Sequence, residues 1–385
     1  MYPAAPDDAD LPTRSVSDDS RRLITQALAD ELSPRTNQAY LRQWRDFERY
    51  CHSHGYRTLP ADVDVVCEYL HMLETVEILD GDGTLKQRGY SLSNIEQAVA
   101  AIKYVHRAAV AVPTDGALPL WAHPKVTRLL RAMRNRNART GRSVEEPEAP
   151  VMREQLVRML EVARDDARSW VAHLHERRDS AVLLMAWVGA LRRSELTALR
   201  VCDVKAMHGK WTMHVAVSKT DQGGKGMIKA LPEGSTPATC GRCAFVRWMQ
   251  CVTTYDTAGR IGLIRLLARD TSPPRHVCRH LEKYPKPRTP VFRSIRHTEI
   301  HSGAMASEMV LTIVRRRLSS AHPDLPVEDY GAHSLRAGFV TDGFMRGEEP
   351  RAIMRQTGHR SIEGLLRYAR ERGAYDNNAA ATLGL

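Results

Sequence analysis

The chain has 385 residues, 43% hydrophobic and 26% charged, with 56 Lys and Arg against 45 Asp and Glu for a formal net charge of +11. That length exceeds one ordinary core, so two domains are expected, and the basic excess points to a polyanion, most commonly nucleic acid. No apolar run approaches the roughly 20 residues that span a bilayer, and the start of the chain, with Asp7, Asp8 and Asp10, lacks the basic and apolar regions of a signal peptide, so a cytoplasmic protein is expected.

Residues 1–20 are polar, acidic and without periodicity, which predicts disorder. Ser33-Pro34 offers a capping hydroxyl followed by proline at the first turn, and the helix it opens carries Tyr40, Trp44 and Phe47 and should stop near Gly55. A second helix is expected from near Pro60, with Val63, Val66, Tyr69, Leu70 and Leu73 on its apolar side. Ser93-Asn94-Ile95-Glu96 has the pattern of a capping box opening a third, and a fourth is expected over about 124–137. The exposed side of that fourth helix carries Arg128, Arg131 and Arg134 with no acidic residue between them, and phosphate contact is the favoured reading over a merely solvated face. Residues 21–138 thus read as an all-α bundle, and 139–150, rich in Pro and Glu, as a linker.

Residues 151–385 read as a second domain of α+β type, mostly helical with a small antiparallel hairpin. Helices are expected around 152–166 and 169–188. Trp211, Met213 and Val215 alternate with Thr212, His214 and Ala216, which is strand periodicity, and a glycine-rich turn at 221–226 returns Met227 to Leu231 as a partner strand. Lys219 lies where the first strand meets the turn. A helix over about 242–254, a basic proline-rich loop over 269–290 and helices resuming after Ser302 complete the chain. Cys240 and Cys243 form a CxxC, with His276, Cys278 and His280 downstream. The His-x-Cys-x-His half is not the usual second half of a zinc site, so solvated loop residues and no metal are expected.

Chemistry concentrates near the C-terminus. His333 and Arg336 are three residues apart and can face one small ligand. The guanidinium of Arg336 offers a planar fork of donors to two phosphate oxygens, and Tyr368 is a hydroxyl nucleophile able to form a covalent ester. Tyr375 is its rival, though Tyr368 has the better spacing from Gly358-His359. Lys225 and Lys229 share the hairpin with Lys219.

Arg192, Lys219, His333, Arg336, His359 and Tyr368, in this order, resemble the catalytic set of the tyrosine recombinases, the phage-integrase family. The local contexts match: Gly189-Ala190-Leu191-Arg192-Arg193-Ser194-Glu195-Leu196, Ser218-Lys219-Thr220, His333-Ser334-Leu335-Arg336, Gly358-His359 and Leu366-Arg367-Tyr368. Pro290-Val291-Phe292-Arg293-Ser294 is similar to a further stretch of that family, and the likeness covers about 20–385 with a Cre- or Xer-like layout. It implies a helical, SAM-like core-DNA-binding domain followed by a catalytic domain. It also implies phosphate clamping by Arg192 and Arg336, with Glu195 as support and His333 as base. Lys219 would be the acid for the departing 5′-oxygen, His359 a hydrogen-bond donor to phosphate, and Tyr368 the nucleophile forming a 3′-phosphotyrosyl link. No metal or nucleotide cofactor is implied, because the covalent link conserves the bond energy. The implied partners are double-stranded DNA sites and further copies of the chain, a dimer per site and a tetramer in synapsis, with the tail after Tyr368 docking on a neighbouring protomer. A type IB-like topoisomerase and a catalytically inactive DNA-binding regulator are the competing functions.

Overall fold

The computed structural model describes residues 34–81, 83–109, 118–140, 148–216, 226–269, 275–279, 284, 286–366 and 368. Residues 1–20, Lys219, Lys225, His280, Tyr375 and the tail lie outside this set. The chain divides into two compact units, Met1–Glu146 and Pro147–Leu385.

In the first unit four helices, α1 (Pro34–His54), α2 (Val63–Thr75), α3 (Leu92–Ala109) and α4 (Pro124–Arg139), enclose a core of Phe47, Tyr69, Leu70, Ile95, Ile102 and Met133. The apolar stripes expected from the sequence are those that turn inward. Helix α3 begins two residues earlier than the capping-box pattern suggests, because the hydroxyl of Ser91, not Ser93, accepts from the Asn94 N–H. A short antiparallel hairpin, β1 (Glu77–Leu79) with β2 (Leu85–Arg88), lies between α2 and α3 and was not anticipated. Its turn closes through Asp80 and Gly83, residues that favour such reversals. On α4 the three anticipated arginines are exposed. Arg134 is engaged by Glu96 at 2.6 Å, a carboxylate from α3 that no inspection of α4 alone would find.

The second unit is built around α6 (Trp170–Val188), which is buried on nearly every side from Leu174 to Ala186. It packs against α5 (Arg153–Asp165), the long helix α8 (Gly241–Ala268), which is kinked at Gly259, and α9 (Glu308–Ala321) and α10 (Ser334–Met345). Asp179, wholly buried on α6, accepts from Arg178, Arg316 and Arg317 at 2.6–3.1 Å. A carboxylate can occupy such a place only because cations and donors surround it. Helix α7 (Arg193–Ala198) leads into a three-stranded sheet, β3 (Val204–Met207), β4 (Lys210–Val215) and β5 (Met227–Leu231), in the order β3-β4-β5. The β4–β5 pair is the expected hairpin, in a register that sets Met213 against Lys229 and Trp211 against Leu231.

Two expectations need correction. Between residues 290 and 304 a further hairpin, β6 (Arg293–Arg296) with β7 (Glu299–Ala304), precedes the return to helix. It turns on His297 and Thr298 at φ 48° and 71°, a conformation usually signalled by Asn or Gly, so the sequence hid it. Cys240, Cys243 and Cys278 are not solvated loop residues: all three are 0% exposed and belong to the unit's core. The start of α8 carries the CxxC inward, and residues 276–278 fold back over it.

Candidate active site

Four separated pieces of chain converge: the Gly189–Glu195 turn, strand β5, the start of α10, and the segment from Thr357 to Tyr368. Ala190 sits at φ 44°, strained for a residue with a Cβ, and its carbonyl turns inward as an acceptor. Arg192 immediately precedes α7. Its Nη1 lies 2.5 Å from Glu195 Oε1, and its own N–H donates to Glu195 Oε2 at 3.0 Å. The helical i, i+3 spacing and the site role are therefore one arrangement, in which Glu195 caps the helix and orients the guanidinium.

Arg336 is 0% exposed. Its Nη1 donates to the carbonyls of Ala190 at 2.6 Å and Thr357 at 2.7 Å, and Nη2 meets Nε2 of His359 at 3.2 Å. Its Nε, also buried, has no partner among the described residues. A buried donor without an acceptor is costly and marks where an anion's oxygen would be received. The approach of α10 to this region depends on Gly338, where an added Cβ would stand 1.8 Å from the Val151 carbonyl oxygen.

His359 follows Gly358, which ends α11 (Pro350–Thr357) at φ 79°. The Thr357 hydroxyl donates to Ile353 O at 2.9 Å, so its oxygen accepts from Nδ1–H of His359 at 2.8 Å. Nε2 is thereby left as the acceptor for Arg336. Burial first, then the charges of Arg336 and Arg192, push His359 down to about 4, consistent with this neutral tautomer. His333 is likewise pushed down to about 4, by burial and then by Arg336 and Arg192. Its Nε2 lies 2.5 Å from the Tyr368 hydroxyl, and its backbone N–H donates to Glu148 at 2.6 Å. A neutral imidazole with a free Nε2 lone pair can accept the phenolic proton.

Of the expected site residues, Arg192, Glu195, His333, Arg336, His359 and Tyr368 come together, while Lys219 falls outside the described residues. Lys229 is the addition. It is 1% exposed and donates to Gly189 O at 3.0 Å and Ala190 O at 3.2 Å, with Glu195 at 3.7 Å. Desolvation is the main cause that pushes its ammonium down to about 8. A signal for it existed: strand alternation puts Lys229 on the same face as Met227 and Leu231, and a cation on an inward face needs a reason. Arg192, Arg336 and Lys229 against Glu195 leave two uncompensated positive charges when the lysine is protonated and the histidines neutral. That balance matches a phosphodiester anion acquiring a second charge as it is attacked.

The chain has the fold of the tyrosine recombinases. In sequence it is similar to the integrase/recombinase XerD homolog of Selenomonas ruminantium, 23% identical over 361 residues that cover 94% of this chain and 87% of the relative. Among solved structures it is similar to the Tn1549 transposon integrase in complex with transposon right-end DNA, with a TM-score of 0.50, 16% identity and coverage of 88% of this chain and 89% of that one. The XerH site-specific recombinase bound to a palindromic difH substrate aligns with a TM-score of 0.49 and 15% identity, over 84% of this chain and 71% of that one. No family model matches the chain. Among the described residues, no helix is long and apolar enough to cross a membrane.

Proposed function

We propose that this protein is a site-specific DNA recombinase that cuts and rejoins duplex DNA through a 3′-phosphotyrosyl intermediate on Tyr368. The observation that carries this reading is the 2.5 Å contact between the Tyr368 hydroxyl and His333 Nε2, beside a buried Arg336 with an unpaired Nε. In the first half-reaction Tyr368 Oη attacks phosphorus and its proton passes to His333. The P–O5′ bond breaks, and the departing oxygen takes a proton from a general acid. Lys219 is the residue we assign to that acid role.

An unperturbed tyrosine, with a pKa near 10, needs this help at neutral pH. His333 is a weak base while the arginine charges face it alone. A phosphate seated between Arg192 and Arg336 cancels much of that repulsion and strengthens the imidazole as it is needed. The ester conserves the bond energy, so the second half-reaction, attack by a 5′-hydroxyl, needs no nucleotide or metal. Double-stranded target sites, a dimer per site and a tetramer in synapsis complete the proposal, with the protein DNA-associated in the cytoplasm.

A nicked suicide substrate, from which the short fragment bearing the freed 5′-hydroxyl diffuses away, tests the reading. A covalent protein–DNA adduct mapped to Tyr368 is expected, and its absence on the bound target site would make the protein a DNA-binding regulator. Relaxation of plasmid lacking target sites would instead favour a topoisomerase.

A further inference from the structure

We infer that Cys240, Cys243, His276 and Cys278 form a structural zinc site in the second unit. Cys240 Sγ is 3.8 Å from Cys278 Sγ, and His276 Nδ1 is 3.4 Å from Cys243 Sγ and 3.9 Å from Cys278 Sγ. All four donor atoms lie within 4.8 Å of one another. Tetrahedral zinc, with sulfur at ~2.3 Å and nitrogen at ~2.0–2.1 Å, spans edges of about 3.5–3.8 Å. Three of the six donor separations, at 3.4–3.9 Å, therefore match the edges of that figure.

The donor chemistry selects the metal. Three thiolates and one imidazole suit zinc and exclude the oxygen-seeking calcium and magnesium. The surroundings also fit. The Gly234 N–H donates to Cys240 Sγ at 3.3 Å, which favours a thiolate there. Glu233 Oε1 lies 3.8 Å from Nε2 of His276, placed to hold the proton on that nitrogen and leave Nδ1 for the metal. The approach of the Gly234 N–H to Cys240 depends on glycine at that position, where a Cβ would stand 2.7 Å from Cys240 Cα.

All four corners are protein ligands, so the site has no open position for substrate or water and its role is structural. The CxxC opens α8 just beyond β5, the strand that carries Lys229, while His276 and Cys278 belong to the basic segment that follows α8. The metal would tie that segment to the exit of β5, with Arg275 and Arg279 exposed on either side of the ligands. This clip stands on its own donors and does not depend on the recombinase reading.

The full-length protein, purified under reducing conditions, should contain one zinc per chain by plasma mass spectrometry. Cys243→Ser and Cys278→Ser should lose it. Cobalt(II) added to the zinc-stripped wild type should give the visible bands of a tetrahedral site and a sulfur-to-cobalt charge-transfer band. Chelation should also lower the melting temperature. Should the serine variants fail to fold, the cobalt titration of the wild type still decides. Zinc no higher than in the buffer blank with no cobalt bands would overturn the proposal, as would a Cys240–Cys278 disulfide in the native protein.

Discussion

Tyr368 and His333 are joined by a 2.5 Å contact although they stand 35 positions apart in the chain, and that contact fixes the phenol against the imidazole. Tyr368→Phe is expected to abolish the covalent adduct while DNA binding by mobility shift stays nearly unchanged, because one oxygen is removed and little surface. An adduct persisting in this variant would move the nucleophile to another residue, with Tyr375 the next to test. His333→Gln should keep binding and slow cleavage by about 10²–10⁴-fold, the usual contribution of a positioned base.

Lys219 and Lys229 should separate by leaving group. Lys219→Ala is expected to slow cleavage strongly on ordinary DNA but far less when sulfur replaces the 5′-bridging oxygen, since a thiolate departs without protonation. Lys229→Ala should depress both substrates alike, because its ammonium is tied to the carbonyls of Gly189 and Ala190 and to Glu195, and should also lower the melting temperature. The opposite assignment of the two patterns would make Lys229 the acid.

The buried histidines set a pH dependence of stability. His333, His359 and His175 are each pushed down to about 4 from an ordinary 6.5, burial being the first cause in all three. The unfolded chain therefore binds more protons than the folded one between those values. Their contribution is complete above about pH 6.5 and is lost as pH falls toward 4. Melting temperature should fall steadily from pH 7 to pH 5, and His175→Gln should flatten that slope. A flat profile in the wild type would contradict the burial of these rings.

On α4, Arg128 and Arg131 are exposed and have no carboxylate partner among the described residues, whereas Arg134 is held by Glu96. Alanine at either of the first two should weaken specific and nonspecific DNA binding alike and reduce the slope of log affinity against log salt by about 0.9. Arg134→Ala should do less, because its charge is already partly neutralised. Equal, unaltered slopes in all three variants would return this face to simple solvation.

Asp179 tests the interior. Removing it leaves Arg178 and Arg317 facing each other without a counter-charge, so Asp179→Ala should cost about 3–5 kcal/mol in urea unfolding, the usual penalty for breaking a buried pair. Adding Arg317→Ala should recover part of that loss. A double variant no more stable than the single one would mean that the other arginines already suffice to strand the charge.

Much of this molecule is legible in one dimension. The apolar spacing of α1 to α4, the alternation of Trp211, Met213 and Val215, and the boxes around Arg192, His333 and His359 all rest on short-range rules: helical or strand period, caps, and residue types suited to phosphate. Those rules operate over a few residues, and so a sequence displays them.

What the sequence could not display depends on which distant segments meet. The β6–β7 turn rests on His297 and Thr298 at positive φ, adopted because the pairing around it holds them there. Ala190 is strained because its carbonyl is required by Arg336, 146 residues away. Lys229 looks like a surface hairpin lysine until its strand is laid against Met213 and the turn at Gly189. Cys240 and Cys243 acquire their partners only when a segment more than thirty residues on folds over the start of α8. The sequence determined the helices of the first unit and the β4–β5 hairpin, since each follows from local chemistry. The tertiary structure alone decided burial, protonation and which donors share a centre, because desolvation and proximity do not exist until the chain has closed.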